Sequence, residues 1–299
     1  MFSVLFKSFI SLSKKLPLVL FFCGVGFVLA MLVARPFYVT FLSEANGSVA
    51  LDKLVADFDF MVFTDFLQQS GKAFRPFVAL AMIIGVVYLF LNTFFAGGIL
   101  QVFDEEKFKL SEFFEGSTKY FSKFALLLVF LFIFLLVLVS LAGMFFFIFA
   151  AIAEGGNEKD YILAMLPPLG ILAYFVGFVI VLGDYARVML YKSETLKVYD
   201  AFWKSFSYVF KRQSTLALFW LIIILGLILS VMYLGVDKVI GMHSGLTIFV
   251  MFLVQQVFVF VRTFLKISTL VVAKNYFESK PVVLEKVIVP LEESPQIEN

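Results

Sequence analysis

The chain has 299 residues, of which 62% are hydrophobic and only 15% charged, and its mean hydropathy is +1.01. One soluble core of this size could not hide so much apolar surface, so lipid is the expected solvent for most of it. A formal net charge of +2 implies no nucleic-acid-sized basic surface; the lone Cys23 excludes an intrachain disulfide, and the lone His243 argues against a clustered metal site.

From the N-terminus, Phe6-Lys7-Ser8-Phe9 runs to Lys14-Lys15 as an amphipathic lead-in. An apolar run over 16–38 follows, beyond the roughly 20 residues that cross a bilayer. The basic start and the alanines Ala30 and Ala34 also fit a cleavable signal, but the run is long for one and its start matches two later segments. Residues 39–74 form the one sizeable segment between spans. There Leu51, Leu54, Val55, Phe58, Met61 and Val62 follow a 3-4 spacing, while Asp52, Asp57, Asp59 and Asp65 mostly avoid it. The pattern predicts short amphipathic helices lying on the outer surface, and Asn46-Gly47-Ser48 reads as a turn rather than a glycosylation acceptor.

A second span is expected over 75–102, closed by Ala96-Gly97-Gly98. The second lead-in, Phe114 to Lys123, opens spans over 124–152 and 161–190; the third, Trp203-Lys204-Ser205-Phe206 to Lys211-Arg212, opens spans over 214–236 and 246–273. The connections Glu154 to Asp160 and Val236 to Gly245 are too short for an external domain. After Lys280 the chain turns polar, with Pro281, Pro290, Pro295 and several glutamates, and 281–299 is expected to be a flexible cytoplasmic tail.

The lead-ins align. A shift of 88 residues places Lys109 on Lys197, Glu112 on Asp200, Phe114 on Phe202, Tyr120 on Tyr208 and Lys123 on Lys211, and a shift of 197 places the first copy on the third. The expected fold is therefore all-α: a polytopic transmembrane bundle of about six spans, built from three repeated amphipathic-helix plus helical-hairpin units over about 1–103, 104–192 and 193–280 within one transmembrane domain, 1–280. In the third copy Phe202, Phe206, Val209 and Phe210 share one face, and Lys204, Ser207, Lys211 and Arg212 the other. That pattern suits a helix in the headgroup layer, either anchoring the span that follows or forming a collar for lipid headgroups or partners. Basic residues concentrate on the lead-in side, from Lys7, Lys14 and Lys15 through Lys119 and Lys123 to Lys204, Lys211, Arg212 and Lys280. The other side holds chiefly Lys53, Lys72, Lys159 and Lys238, with Arg35 and Arg75 at span ends, so both termini are expected to be cytoplasmic.

Polar residues at membrane depth are the candidate functional groups: Asn92, Asp184, Gln255, Arg262 and Lys266. Each central charge costs about 2.5–3.5 kcal/mol on insertion scales and should face the bundle or a wet cavity. Gln255, Arg262, Lys266 and Thr269 fall on one helical face. Gly177 with Asp184, and Gly85 with Asn92 and Ala96, do likewise, with small residues expected to let helices approach. A buried pair of Asp184 with Arg262 or Lys266 is expected at similar depth. Gly97, Gly98, Pro167 and Pro168 are candidate hinges, because missing donors and permissive glycines break membrane helices.

Gly97-Gly98-Ile99-Leu100, Phe113-Phe114, Tyr120-Phe121, Asp184-Tyr185-Ala186-Arg187 and Ala201-Phe202 together resemble a family of uncharacterised bacterial six-span membrane proteins. They are also loosely similar to the membrane domain associated with glycerophosphodiester phosphodiesterases. The resemblance implies a bacterial inner-membrane location and supplies no catalytic residues. No phosphate-binding glycine loop, Gly-x-Ser-x-Gly elbow or His-Glu-x-x-His helix occurs. The expectation is a non-enzymatic membrane protein, without cofactor, metal or nucleic acid, that binds or moves a lipid or small hydrophobic solute. An inner-membrane scaffold for a membrane or cytoplasmic partner protein is the main alternative, and an intramembrane enzyme the remote one. No oligomeric state is implied.

Overall fold

In lipid, a backbone must satisfy its N–H and C=O groups from within, so long apolar runs become helices. The computed structural model describes residues 2–45, 60–105, 107–154, 156–240, 244–282 and 284. Among them it contains eight helices and no strand. They are α1 (Phe2–Ser13), α2 (Leu16–Ala45), α3 (Phe60–Val102), α4 (Leu110–Ile152), α5 (Glu158–Lys192), α6 (Val198–Lys211), α7 (Ser214–Ile240) and α8 (Gly245–Ser279). Six stretches are long and apolar enough to cross a bilayer: Leu16–Glu44, Ser70–Val102, Leu110–Ile152, Lys159–Lys192, Ser214–Ile240 and Gly245–Ser279. The protein is an all-α, multi-pass membrane protein. Asn46-Gly47-Ser48, the outer stripe of Leu51, Leu54, Val55 and Phe58 with its aspartates Asp52, Asp57 and Asp59, His243 and tail residues 285–299 lie outside the described residues.

Two lead-ins are separate helices and one is not. A turn at Lys14 and Lys15 separates α1 from α2, and Pro17 sits in the first turn of α2, where its missing N–H costs no hydrogen bond. Arg212 leaves helical geometry at φ −123°, ψ 80°, and parts α6 from α7. Between Ser117 and Ala142 no glycine or proline occurs, so the second lead-in runs straight on as the first turns of α4. The described part of the outer segment also departs from expectation. Residues 60–74, including Met61, Val62 and Asp65, continue α3 instead of forming a separate surface helix, and α2 extends through Arg35 and Pro36 to Ala45. Phe66 is buried against Phe41, Val62 and Phe77, which gives both extensions something apolar to pack on. Helix α5 opens on a capping box between Asn157 and Asp160 and runs unbroken through Pro167 and Pro168.

The chain forms two compact units, one of residues 9–121 and 223–268, the other of 1–8, 122–222 and 269–299. In the first, α2 packs on α3, and Phe21, Phe22, Phe95 and Phe113 meet with ring centroids 5.3 to 6.2 Å apart. Here Gly97 and Gly98 have a packing reason. A Cβ on Gly97 would stand 2.5 Å from the Gly116 carbonyl oxygen, and one on Gly98 would collide with the Phe113 carbonyl and Ser117 Oγ. The buried Lys15 donates to the carbonyls of Val102 and Glu105, just past the end of α3, with Phe103 beneath its ammonium at 5.0 Å. It thus satisfies acceptors that a helix terminus leaves open.

In the second unit α5 packs on α6, whose Phe202 and Phe206 meet Phe134 at 5.6 and 6.0 Å. A Cβ on Gly177 would touch Trp220 at 3.0 Å, so this small residue does let α5 and α7 approach; Gly85 of α3 has nothing within 4 Å and does not. Basic residues again close carbonyls beyond long helices. Lys123 donates to the Glu194 carbonyl after α5, and Arg212 to the Lys280 carbonyl after α8.

Candidate functional site

The first unit holds a cleft of about 710 Å³ between α2, α3 and α8. Helical spacing builds each wall: Leu20, Cys23, Phe27 and Ala30 from α2; Tyr88, Leu91, Asn92 and Phe95 from α3; Phe252, Gln255, Gln256, Val259, Thr263 and Lys266 from α8. Most of the lining is apolar. The polar groups come from two helices, α3 and α8, and include no acidic side chain.

Lys266 is the fixed point. Its ammonium donates to the Tyr88 hydroxyl and, at 2.7 Å, to Asn92 Oδ1, and lies 4.3 Å from the Tyr88 ring centroid. Two neutral acceptors and a ring face hold the ammonium in place. Thr263 turns its hydroxyl back on the Val259 carbonyl at 2.8 Å, so it offers the cleft little polarity. Gln255 and Gln256 form no hydrogen bond among the described residues and keep their amides available in the cleft. Arg262 is the central residue of α8, 17 positions from each end, exposed, and without a hydrogen-bond or ion-pair partner among the described residues.

Asp184 has a partner on its own helix. Its Oδ1 accepts from Arg187 at 3.0 Å, one turn along α5, with the two side chains only 10% and 18% exposed. A residue three positions away on one helix is always within reach, whereas a partner on another span needs the right rotation as well. Within one unit Asp184 thus pairs with Arg187, and within the other Lys266 bonds Tyr88 and Asn92. Beside Asp184, a cavity of about 10 Å³ lined by Thr215, Thr269 and apolar side chains has room for about one water.

Sequence reasoning found Asn92, Gln255 and Lys266, which the cleft brings together, and Arg262, one turn from Lys266. It missed Tyr88, Gln256, the α2 wall and Arg187. Tyr88 lies one turn before Asn92 on the same face, a signal that was available; no pattern marks α2 as the opposing wall. Among the described residues no group of three His, Cys, Asp or Glu converges as a metal site would require. The chain matches no family model, no curated protein and no solved structure.

Proposed function

We propose that this protein is a non-enzymatic, multi-pass protein of a bacterial cytoplasmic membrane that binds, and moves, a lipid or small hydrophobic solute in the α2/α3/α8 cleft. The cleft itself carries the reading. Its 710 Å³ falls within the roughly 300 to 1,000 Å³ of small-molecule sites, which join apolar walls to a few placed polar groups. Tyr88, Asn92 and Lys266 are those groups, and α2, α3 and α8 supply the walls. The basic lead-ins put both termini in the cytoplasm. Three internal copies are supported by a shared contact: Lys15, Lys123 and Arg212 each end a lead-in and each close a carbonyl beyond the second long helix of the same copy.

Filling the cleft tests the proposal. Gly26 lines it with nothing within 4 Å of a Cβ, so Gly26→Phe should occupy the space without displacing backbone. Gly143 of α4 is equally open but lies outside the cleft lining and serves as control. Native mass spectrometry from nanodiscs should show a retained hydrophobic adduct on the parent and on Gly143→Phe, and its loss on Gly26→Phe. An adduct unchanged in Gly26→Phe, or an unliganded parent with a stoichiometric protein partner, would overturn the reading, the latter in favour of a scaffold.

A further inference from the structure

Resting on that reading of the cleft, we infer that its ligand is an uncharged amphiphile, an alkyl chain ending in a hydroxyl or amide head, and that the side-chain amides of Gln255 and Gln256 hold the head. Two independent observations meet here. One is the chemistry of the walls: Leu20, Phe27, Leu91 and Phe252 offer apolar surface from three helices, as an alkyl chain needs. The other is the hydrogen-bonding capacity that the lining leaves unused. Tyr88 and Asn92 engage Lys266, and Thr263 bonds back to its own helix. Gln255 and Gln256 both line the cleft, both are exposed there, and neither forms a hydrogen bond among the described residues.

An amide inside an apolar span is costly while its donors and acceptor go unanswered. Gln255 and Gln256 lie about 15 Å along α8 from its start at Gly245, well inside the span Gly245–Ser279. Neighbours in sequence, they diverge by about 100° around the helix, so a head seated at their level meets one amide on each side. Each amide brings two N–H donors and a carbonyl acceptor. A hydroxyl or amide head donates and accepts at once and answers both kinds; a plain hydrocarbon answers neither. A charged head has no counterpart at this level. The described lining contributes no Asp or Glu to meet a cation. Its one Lys or Arg, Lys266, stands ten residues beyond Gln256, about 15 Å along the helix, where Tyr88 and Asn92 engage it. An uncharged head with an apolar chain therefore answers the walls and the two amides together.

The test uses the full chain in nanodiscs of zwitterionic lipid, with hexadecanol, hexadecanamide, hexadecanoate and hexadecane as probes that share one chain length. Bound probe is quantified by native mass spectrometry for the parent, Gln255→Leu, Gln256→Leu and the double variant; leucine is at home in an apolar span, so the substitutions spare the fold. The alcohol or the amide should bind at least about tenfold better than hexadecane and better than hexadecanoate, and each single variant should lose about fivefold toward that head, the scale of one neutral hydrogen bond. The double variant should bind the headed probes no better than hexadecane, whose own binding should not fall in any variant. Preference for the amide would point to an N-acyl lipid, and for the alcohol to a hydroxyl-headed one. Neutral heads bound no better than hexadecane, with both leucine variants without effect, would overturn the inference while leaving an apolar binding cleft, and so would hexadecanoate bound in preference to both. A parent that is dimeric, but monomeric as Gln255→Leu or Gln256→Leu, would overturn it in favour of a second copy of the chain answering the amides. No probe bound by the parent would overturn both the inference and the reading on which it rests.

Discussion

Replacing Gly98 by alanine should loosen the junction of α3 with the start of α4, and its size can be worked from the geometry. The added Cβ would lie well inside 3.0 Å of the Phe113 carbonyl oxygen and of Ser117 Oγ, and 2.6 Å from Phe113 Cδ2. A backbone oxygen in the first turn of a long helix cannot swing aside as a side-chain tip can, so the helices must separate. Overpacking of this kind costs about 1–3 kcal/mol. Alanine is also a better helix former than glycine by about 1 kcal/mol, which partly masks the cost. Gly85→Ala removes the ambiguity, since it receives the same propensity gain in the same helix with nothing within 4 Å of its Cβ. Gly98→Ala should therefore be less stable than Gly85→Ala by about 1–3 kcal/mol, with Gly97→Ala between them or close to Gly98→Ala. Reversible unfolding in mixed micelles, followed by tryptophan fluorescence, measures the difference. If Gly98→Ala and Gly85→Ala agree to within about 0.5 kcal/mol, the close approach of α3 and α4 is wrong.

Removing one partner of the Asp184–Arg187 pair strands a charge in α5, so Asp184→Asn and Arg187→Gln should each cost up to about 3–5 kcal/mol. The double substitution should cost well under their sum, and a double-mutant cycle that adds to within about 0.5 kcal/mol would deny the pairing. Tyr208 donates its hydroxyl to the Lys280 carbonyl at 3.0 Å and accepts from Arg212 at 2.9 Å. Burial raises its pKa above the ordinary value, more than the Arg212 charge lowers it. A tyrosine whose folded pKa is raised lends stability that is intact below its unfolded pKa of about 10 and is lost as pH climbs toward the folded value. The parent should thus lose stability relative to Tyr208→Phe above about pH 10, with a constant difference below; a difference that is flat or grows with pH would refute this.

Why six spans are legible and their polar contacts are not follows from what each depends on. A span is decided along the chain, by the length of an apolar run and the charges that bound it, so the starts at Leu16 and Ser214 are legible, while the expected ends at 38 and 236 fall short of Glu44 and Ile240 because the helices outlast their apolar runs. A contact between spans depends on rotation and register, which no run of apolar residues encodes. Lys266 meets Tyr88 and Asn92 because two helices face one another in one register, and hydropathy would be identical in any other. Gly97 and Gly98 show a different ambiguity: a hinge and a tight crossing ask for the same residue, and the atoms opposite reveal the crossing. The basic residues that end the lead-ins illustrate how a correct pattern can carry an incomplete reason. Headgroup attraction accounts for a positive charge at that depth but not for one buried as deeply as Lys15. Its work is done on the carbonyls of Val102 and Glu105, and a helix end that leaves such acceptors open beside lipid would be costly whatever the headgroups carried. Position along the chain was thus enough to find the residue, and only the spatial arrangement of the helix ends explains why a long side-chain donor stands there.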